Sequence, residues 1–251
     1  NQLLRHEGGT PGSLIDGHPA IWQYLWDNLE GDLRPIRREA TRRLLALGPD
    51  NPIGQFTYSN SAFIIAGAAL EHITGQSWES LMRTEVFEPL GMNACGFGAP
   101  ASAGIGAQPL GHRRRGANGN TPIQPGPNDD NPPAVGPAGI VHCSLASWLK
   151  FAALHAGSGP EGYLSPDTFA VLHQPSVGAS YAGGWGLTRR DWAGGIALTH
   201  NGSNTMNFAI AWVAPAKRAG VLVTTNIAYD GIGAQLDQIV WHLILRYIRD
   251  L

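Results

Sequence analysis

Two short stretches of this chain carry side chains whose type and spacing suit chemistry. The first is Phe56-Thr57-Tyr58-Ser59-Asn60, which runs directly into the apolar segment Ser61-Ala62-Phe63-Ile64-Ile65-Ala66-Gly67. A phenol and an amide two residues apart stand where a turn hands over to a helix. Ser59 or Asn60 can cap that helix, because a short polar side chain accepts hydrogen bonds from its free N–H groups. Tyr58 and Asn60 are then held at a rigid helix entrance, a good position for chemistry. The plainer reading is a capped helix with a tyrosine packed at its start. The second stretch, His200-Asn201-Gly202-Ser203-Asn204, follows a strand-like run. A histidine at a strand end, then a glycine that lets another group approach the backbone, suits a substrate edge. An Asn-Gly hairpin turn is the alternative.

The elements that must hold these stretches are legible in the apolar spacing. Ile21, Leu25, Trp26 and Leu29 recur at helical intervals within residues 21–33, and Ile36, Ala40, Leu44 and Leu47 do so within 35–47. Gly48-Pro49-Asp50-Asn51-Pro52 ends the second run. After Asn60 the pattern predicts a buried, closely packed helix that stops at Gly75, and Ser77 opens another that closes at Pro89-Leu90-Gly91-Met92. Residues 98–138 are rich in Gly, Pro and Asn and read as a surface excursion lining a cleft. Helices are predicted over 146–156 and from Ser165-Pro166-Asp167 to about His173.

From residue 181 the character changes to strands, at 181–187, 196–200, 208–213 and 220–225. The short connector Pro215-Ala216-Lys217-Arg218 makes the last two an antiparallel hairpin. Both are apolar at nearly every position, which calls for cover on both faces. Leu236, Ile239, Val240, Leu243, Ile244 and Tyr247 form a broad stripe on a long final helix that supplies some of it. Helices first, then hairpin strands with a covering helix, read as α+β: a mainly helical part over 1–175 and antiparallel strands with a helix over 176–251.

Composition narrows the function. At 251 residues, with 43% hydrophobic and 14% charged residues, the chain can bury a sizeable core. A net charge of −2 argues against nucleic acid or an anionic membrane as main partner. The basic tripeptide Arg113-Arg114-Arg115 reads as a solvated loop. No apolar run reaches membrane-spanning length and no signal peptide is visible. Two cysteines, Cys95 and Cys143, make no disulfide framework, and whether they meet stays open. The nine histidines show no tight ligand spacing, so no metal is expected, and Gly104-x-Gly106 lacks the rest of a dinucleotide fingerprint. No cofactor is expected.

Order and spacing together resemble the serine β-lactamase and penicillin-binding-protein superfamily, in its class C-like branch of esterases, D-peptidases and related hydrolases. That family carries Ser-x-x-Lys, then Tyr-x-Asn, then a Lys-Thr-Gly or His-x-Gly strand. Tyr58-Ser59-Asn60 matches the second motif and His200-Asn201-Gly202 the third. Leu3-Leu4-Arg5-His6-Glu7-Gly8-Gly9 resembles the family's Leu-Leu-x-His-x-x-Gly, and Phe87-Glu88-Pro89-Leu90-Gly91-Met92 its helix-ending segment. Pro137-Ala138-Gly139-Ile140 and Gly184-Trp185-Gly186-Leu187 also have counterparts, so the likeness runs along the whole chain.

The resemblance implies an acyl-serine hydrolase of small esters, amides or peptides, with a β-lactamase/transpeptidase-like fold and a periplasmic or secreted location. It makes Tyr58 the general base or proton shuttle, its phenol lowered by nearby cations, His200 among them if protonated. Asn60 would bond the acyl-side amide, and the Ser203 N–H, one past Gly202, would be an oxyanion donor. His200 stands where Lys is commoner, which weakens a β-lactamase reading more than a hydrolase reading. The nucleophile motif should lie upstream of Leu3, so residues 1–251 are expected to be one catalytic domain that lacks an N-terminal segment. That piece would be cleaved, unseen or a second chain, and without it the sheet would keep an unpaired edge. A literal Ser147-Trp148-Leu149-Lys150 exists, but it follows Tyr58 and aligns with an ordinary family helix, so Ser147 is not expected to be the nucleophile. The competing reading is a nucleophile-less relative that binds peptides or amides without turning them over.

Overall fold

The computed structural model describes residues 1–101, 108–114, 116, 119–126 and 128–251. Gly104, Gly106 and Arg115 lie outside the described residues. The chain opens with a 3₁₀ turn, Leu3–Arg5, then the short α1 (Leu14–Gly17), α2 (Pro19–Trp26) and α3 (Leu33–Ala46). The helix expected over 21–33 stops at Trp26. Gly31 takes a left-handed φ of 89°, and Asp32 restarts the chain as a cap, its carboxylate accepting from the Arg34 N–H at 3.0 Å. α3 thus begins at Leu33, before Pro35, which a first turn tolerates.

α4 (Asn60–Thr74) is the central helix, as its composition predicts. Of the two possible caps Ser59 is the one used, its hydroxyl accepting from the Ala62 N–H at 3.3 Å. Gly75, at φ 71°, closes the other end. A Cβ added to Gly67 would run into the Pro137 ring, so only glycine lets α6 (Gly136–Gly139) lie so close. Leu25, Ile36, Ala40, Leu44, Ile64 and Ala134 build the helical core.

Within that core Arg37 is fully buried. Its guanidinium pairs with Glu71 of α4, with Glu79 of α5 (Trp78–Leu81) at 2.6 Å, and donates to the Ala134 carbonyl at 3.0 Å. One side chain so ties two helices and the 133–135 turn to α3. Breaking a buried pair strands the partner charge. Arg37→Ala is expected to lower the unfolding free energy by about 3–5 kcal/mol. Urea titration of variant and wild type at pH 7 checks this, and a loss under 1 kcal/mol would show the carboxylates re-pairing with water.

α5 continues through a π-helical turn, Met82–Phe87, to the Pro89–Met92 stop. β1 (Cys95–Phe97) pairs antiparallel with β4 (Val141–Cys143), and the Cys95–Cys143 disulfide locks that pair. The excursion between them holds the hairpin β2 (His112–Arg114) and β3 (Asn120–Pro122), then α6. α7 (Leu145–Ala153) runs on through a π-helical turn to Ser158, and Ser165 caps α8 (Pro166–His173) as expected.

The sheet follows: β5 (Tyr181–Ala182), β6 (Trp185–Arg190), β7 (Gly195–Ser203), β8 (Phe208–Ala214) and β9 (Ala219–Thr225), antiparallel in that order. Both faces are covered. Ile210 and Val221 pack on α9 (Ile232–Tyr247) through Leu236, Val240 and Ile244. Ala211, Val213 and Leu198 pack on α7 and the turn after it, through Ala152 and Ala156. The α9 stripe is narrower than expected, since Ile239 and Tyr247 stay 47% and 61% exposed. β9 ends the sheet, its outer edge unpaired by any strand among the described residues. No helix among the described residues is long and apolar enough to cross a membrane.

Candidate active site

Tyr58 is held by the residue that closes the first turn of the chain. His6 takes a left-handed φ of 57° after Leu3–Arg5. Its carbonyl accepts from the Thr57 N–H at 2.8 Å, and its Nδ1 accepts from the Ser59 N–H at 3.1 Å. Both neighbours of Tyr58 are therefore bonded to one histidine, whose ring lies 4.2 Å from the phenol ring. Ser59 adds a second anchor, donating to the Pro11 carbonyl at 2.5 Å and accepting from Thr10 Oγ1 at 2.9 Å. Asn60 follows as the first residue of α4, exposed at the helix entrance.

β7 brings the other half. It runs through His200, Asn201 and Gly202 to Ser203, so the Asn-Gly pair lies in strand, opposite Ile210 and Ala209, and is not a hairpin turn. The chain reverses later. Ser203 Oγ donates to the Asn207 carbonyl at 3.0 Å, and Asn204 Oδ1 accepts from the Met206 and Asn207 N–H groups at 3.2 and 2.8 Å. A Cβ at Gly202 would meet nothing within 4 Å, so the space over that residue is open. The His200 ring stands 6.1 Å from that of Tyr58, which joins the two motifs in one place.

Two residues of this site, His6 and Tyr181, were not recognised as such from sequence. Tyr181, on β5, hydrogen-bonds His200 Nε2 at 3.0 Å, and its ring lies 4.7 Å from His6 and 5.6 Å from Phe56. Farther along, Asp130 is a buried carboxyl near the β7–β8 turn. It accepts from the Asn131 N–H at 2.7 Å and from the Asn204 side chain, and burial raises its pKa. His6 stood only inside a family-like segment, and Tyr181 only in a strand run.

The electrostatics differ from the expectation in one respect. Tyr58 stays 45% exposed, yet burial of its ring raises its pKa, and no cation among the described residues opposes that shift. Burial also lowers the pKa of His200, so the imidazole is neutral at pH 7 and brings no positive charge to the phenol. The lowering expected from His200 is absent because both groups are desolvated together. Tyr181 is raised further, first by burial and then by Tyr58 beside it.

The Ser147–Lys150 pair serves the scaffold. Ser147 is buried, its Oγ accepting from the Ala94 N–H at 3.1 Å, and Lys150 Nζ donates to the Gly91 carbonyl. Both ends tie α7 to the turn that leads into β1.

An antiparallel sheet between helices, with Tyr-x-Asn at a helix entrance and His-x-Gly on the facing strand, defines the class. The chain belongs to the Beta-lactamase family, which matches residues 1–244. It is similar to penicillin-binding protein 4 of Amycolatopsis lactamdurans, 30% identical over 190 residues, covering 71% of this chain and 48% of that protein. It is also similar to esterase EstB of Burkholderia gladioli, 28% identical over 263 residues, covering 94% of this chain and 66% of EstB. The chain thus spans about half the length of one and about two thirds of the other. In fold it resembles the octameric penicillin-binding protein homologue from Pyrococcus abyssi, with a TM-score of 0.70 at 21% identity over 96% of this chain and 55% of that one. It likewise resembles the D-amino acid amidase from Ochrobactrum anthropi SV3, with a TM-score of 0.69 at 18% identity over 96% and 71%.

Proposed function

We propose that residues 1–251 belong to the catalytic domain of a serine hydrolase that acts on small esters, amides or peptides. The nucleophile lies on a segment absent from this chain. The observation that carries the reading is the meeting of Tyr58 and His200 beside the open backbone of Gly202, with Asn60 exposed at the helix entrance two residues after Tyr58. The serine oxygen bonds the substrate carbonyl as its proton passes toward Tyr58. The ester or amide bond then breaks, the leaving alcohol or amine takes that proton, and water frees the acyl group. Asn60 bonds the acyl-side amide, and the Ser203 N–H steadies the oxyanion. An upward-shifted Tyr58 with no cation beside it needs one from the absent segment, such as a lysine, to act as a base. The Cys95–Cys143 disulfide supports an oxidising compartment.

The same lack of a cation favours the second reading, a silent peptide- or amide-binding relative. Incubation of the full-length protein with a fluorophosphonate, followed by intact mass, separates the two. One adduct per chain is expected, on a residue outside 1–251, and Ser147→Ala is expected to be labelled as fully as wild type. No adduct under conditions that label an active family member leaves the binding reading. A label lost with Ser147→Ala in a folded protein would move the nucleophile to α7.

A further inference from the structure

His200 reaches the site with the rings of Tyr58 and Tyr181 beside it. Its Nε2 stands 3.0 Å from Tyr181 Oη, and the two rings cross at 68° with centroids 6.0 Å apart. Tyr181 is only 8% exposed and is clamped on three sides, by His6, Phe56 and, at 6.4 Å, Tyr58. It enters from a two-residue strand followed by Gly183 and Gly184, at φ 55° and 87°. A side chain at Gly183 would strike the Leu172 backbone of α8, so the approach of β5 is sterically set.

We infer that Tyr181 is a positioning residue: its phenol donates to His200 Nε2 and holds the imidazole as the neutral Nδ1–H tautomer facing the substrate edge. Which nitrogen of an imidazole carries the proton is set by the bond the other one makes. Tyr181 keeps its proton, because burial and the adjacent Tyr58 both disfavour a phenolate. Among the described residues His200 Nε2 is the hydrogen-bond partner of the buried Tyr181 hydroxyl, so donation to that nitrogen is what satisfies the phenol proton. Among the described residues the titratable groups facing His200 are Tyr58, Tyr181 and His6, none of them a carboxylate that would stabilise an imidazolium. Protonating His200 would force the Tyr181 hydroxyl to turn from donor to acceptor. At residue 200 the site therefore presents a directional neutral donor.

The inference rests on the proposed hydrolase reading only in its kinetic arm. Long-range ¹H–¹⁵N NMR of the full-length protein, with His200→Gln to assign the ring, reads the tautomer without turnover. At pH 7 the expected result is a protonated Nδ1 and a bare Nε2. In Tyr181→Phe the Nε2 signal is expected to move and the ring to shift toward the Nε2–H form. In kinetics, Tyr181→Phe is expected to lower kcat/KM about tenfold in wild type and to have little further effect in His200→Gln, since the two act as one unit. An Nε2–H tautomer or an imidazolium in wild type overturns the inference, even if Tyr181→Phe fails to fold. So does an unchanged spectrum in a folded variant. If the protein forms no fluorophosphonate adduct the hydrolase reading fails, while the NMR arm still decides the role of Tyr181.

Discussion

Tyr58→Phe in the full-length protein is expected to fold normally and to lose ~10²- to 10⁴-fold in kcat/KM, the usual worth of a general base. The substitution removes one oxygen and keeps the ring. The contacts that hold the turn do not involve that oxygen: Thr57 and Ser59 bond His6 through their backbones, and the ring rests on the His6 imidazole. Stability is therefore expected to change by less than about 0.5 kcal/mol. Loss should fall on kcat more than on KM, because proton transfer is a transition-state event. Steady-state kinetics on a small ester, with thermal unfolding alongside, provide the check. Equal kcat/KM in the two proteins would make Tyr58 structural and place the base elsewhere.

Acid is expected to unfold this protein early, through two imidazoles that the fold keeps neutral. His155 is buried between Phe151, Phe169 and Trp185, its Nδ1 2.8 Å from His173 Nε2, and burial followed by the His173 charge brings its pKa to about 3. Burial, reinforced by nearby His200, brings His6 to about 4. Both values lie below the ordinary 6.5, so as pH falls the unfolded chain binds protons that the folded chain refuses. Stability is then lost from about pH 6.5 downward, to about 4 at His6 and about 3 at His155. At roughly 1.4 kcal/mol per pH unit and site, the two withdraw on the order of 5 kcal/mol between pH 7 and 4. A domain's net stability is only ~5–15 kcal/mol, so this decides whether it stays folded. Urea midpoints at pH 7, 5.5 and 4 measure the slope, and His155→Gln is expected to remove about half of it. Midpoints that stay level from pH 7 to 4 would show both rings open to water.

The sequence alone determined the local elements and the family resemblance. The Ser59-to-Gly75 helix, the β8–β9 hairpin and the covering helix after residue 231 follow from caps, turns and apolar periods that act over a few residues. Spacing along the chain likewise marked Tyr58, Asn60, His200, Gly202 and Ser203, and the family they resemble. It erred where two local signals competed. The stripe over residues 21–33 hid the break at Asp27–Asp32, and Asn201-Gly202 had the composition of a turn while lying in strand.

Only the tertiary structure decided who stands beside Tyr58. His6 and Tyr181 lie far apart along the chain, and no periodicity links them, because their meeting depends on how α4 and the sheet pack. Packing also closed the Cys95–Cys143 bond and buried Ser147 against Ala94. It reversed the expected electrostatics too. A residue's type sets its ordinary pKa, but desolvation sets the direction of the shift, and here it holds Tyr58, Tyr181, His6 and His200 neutral together.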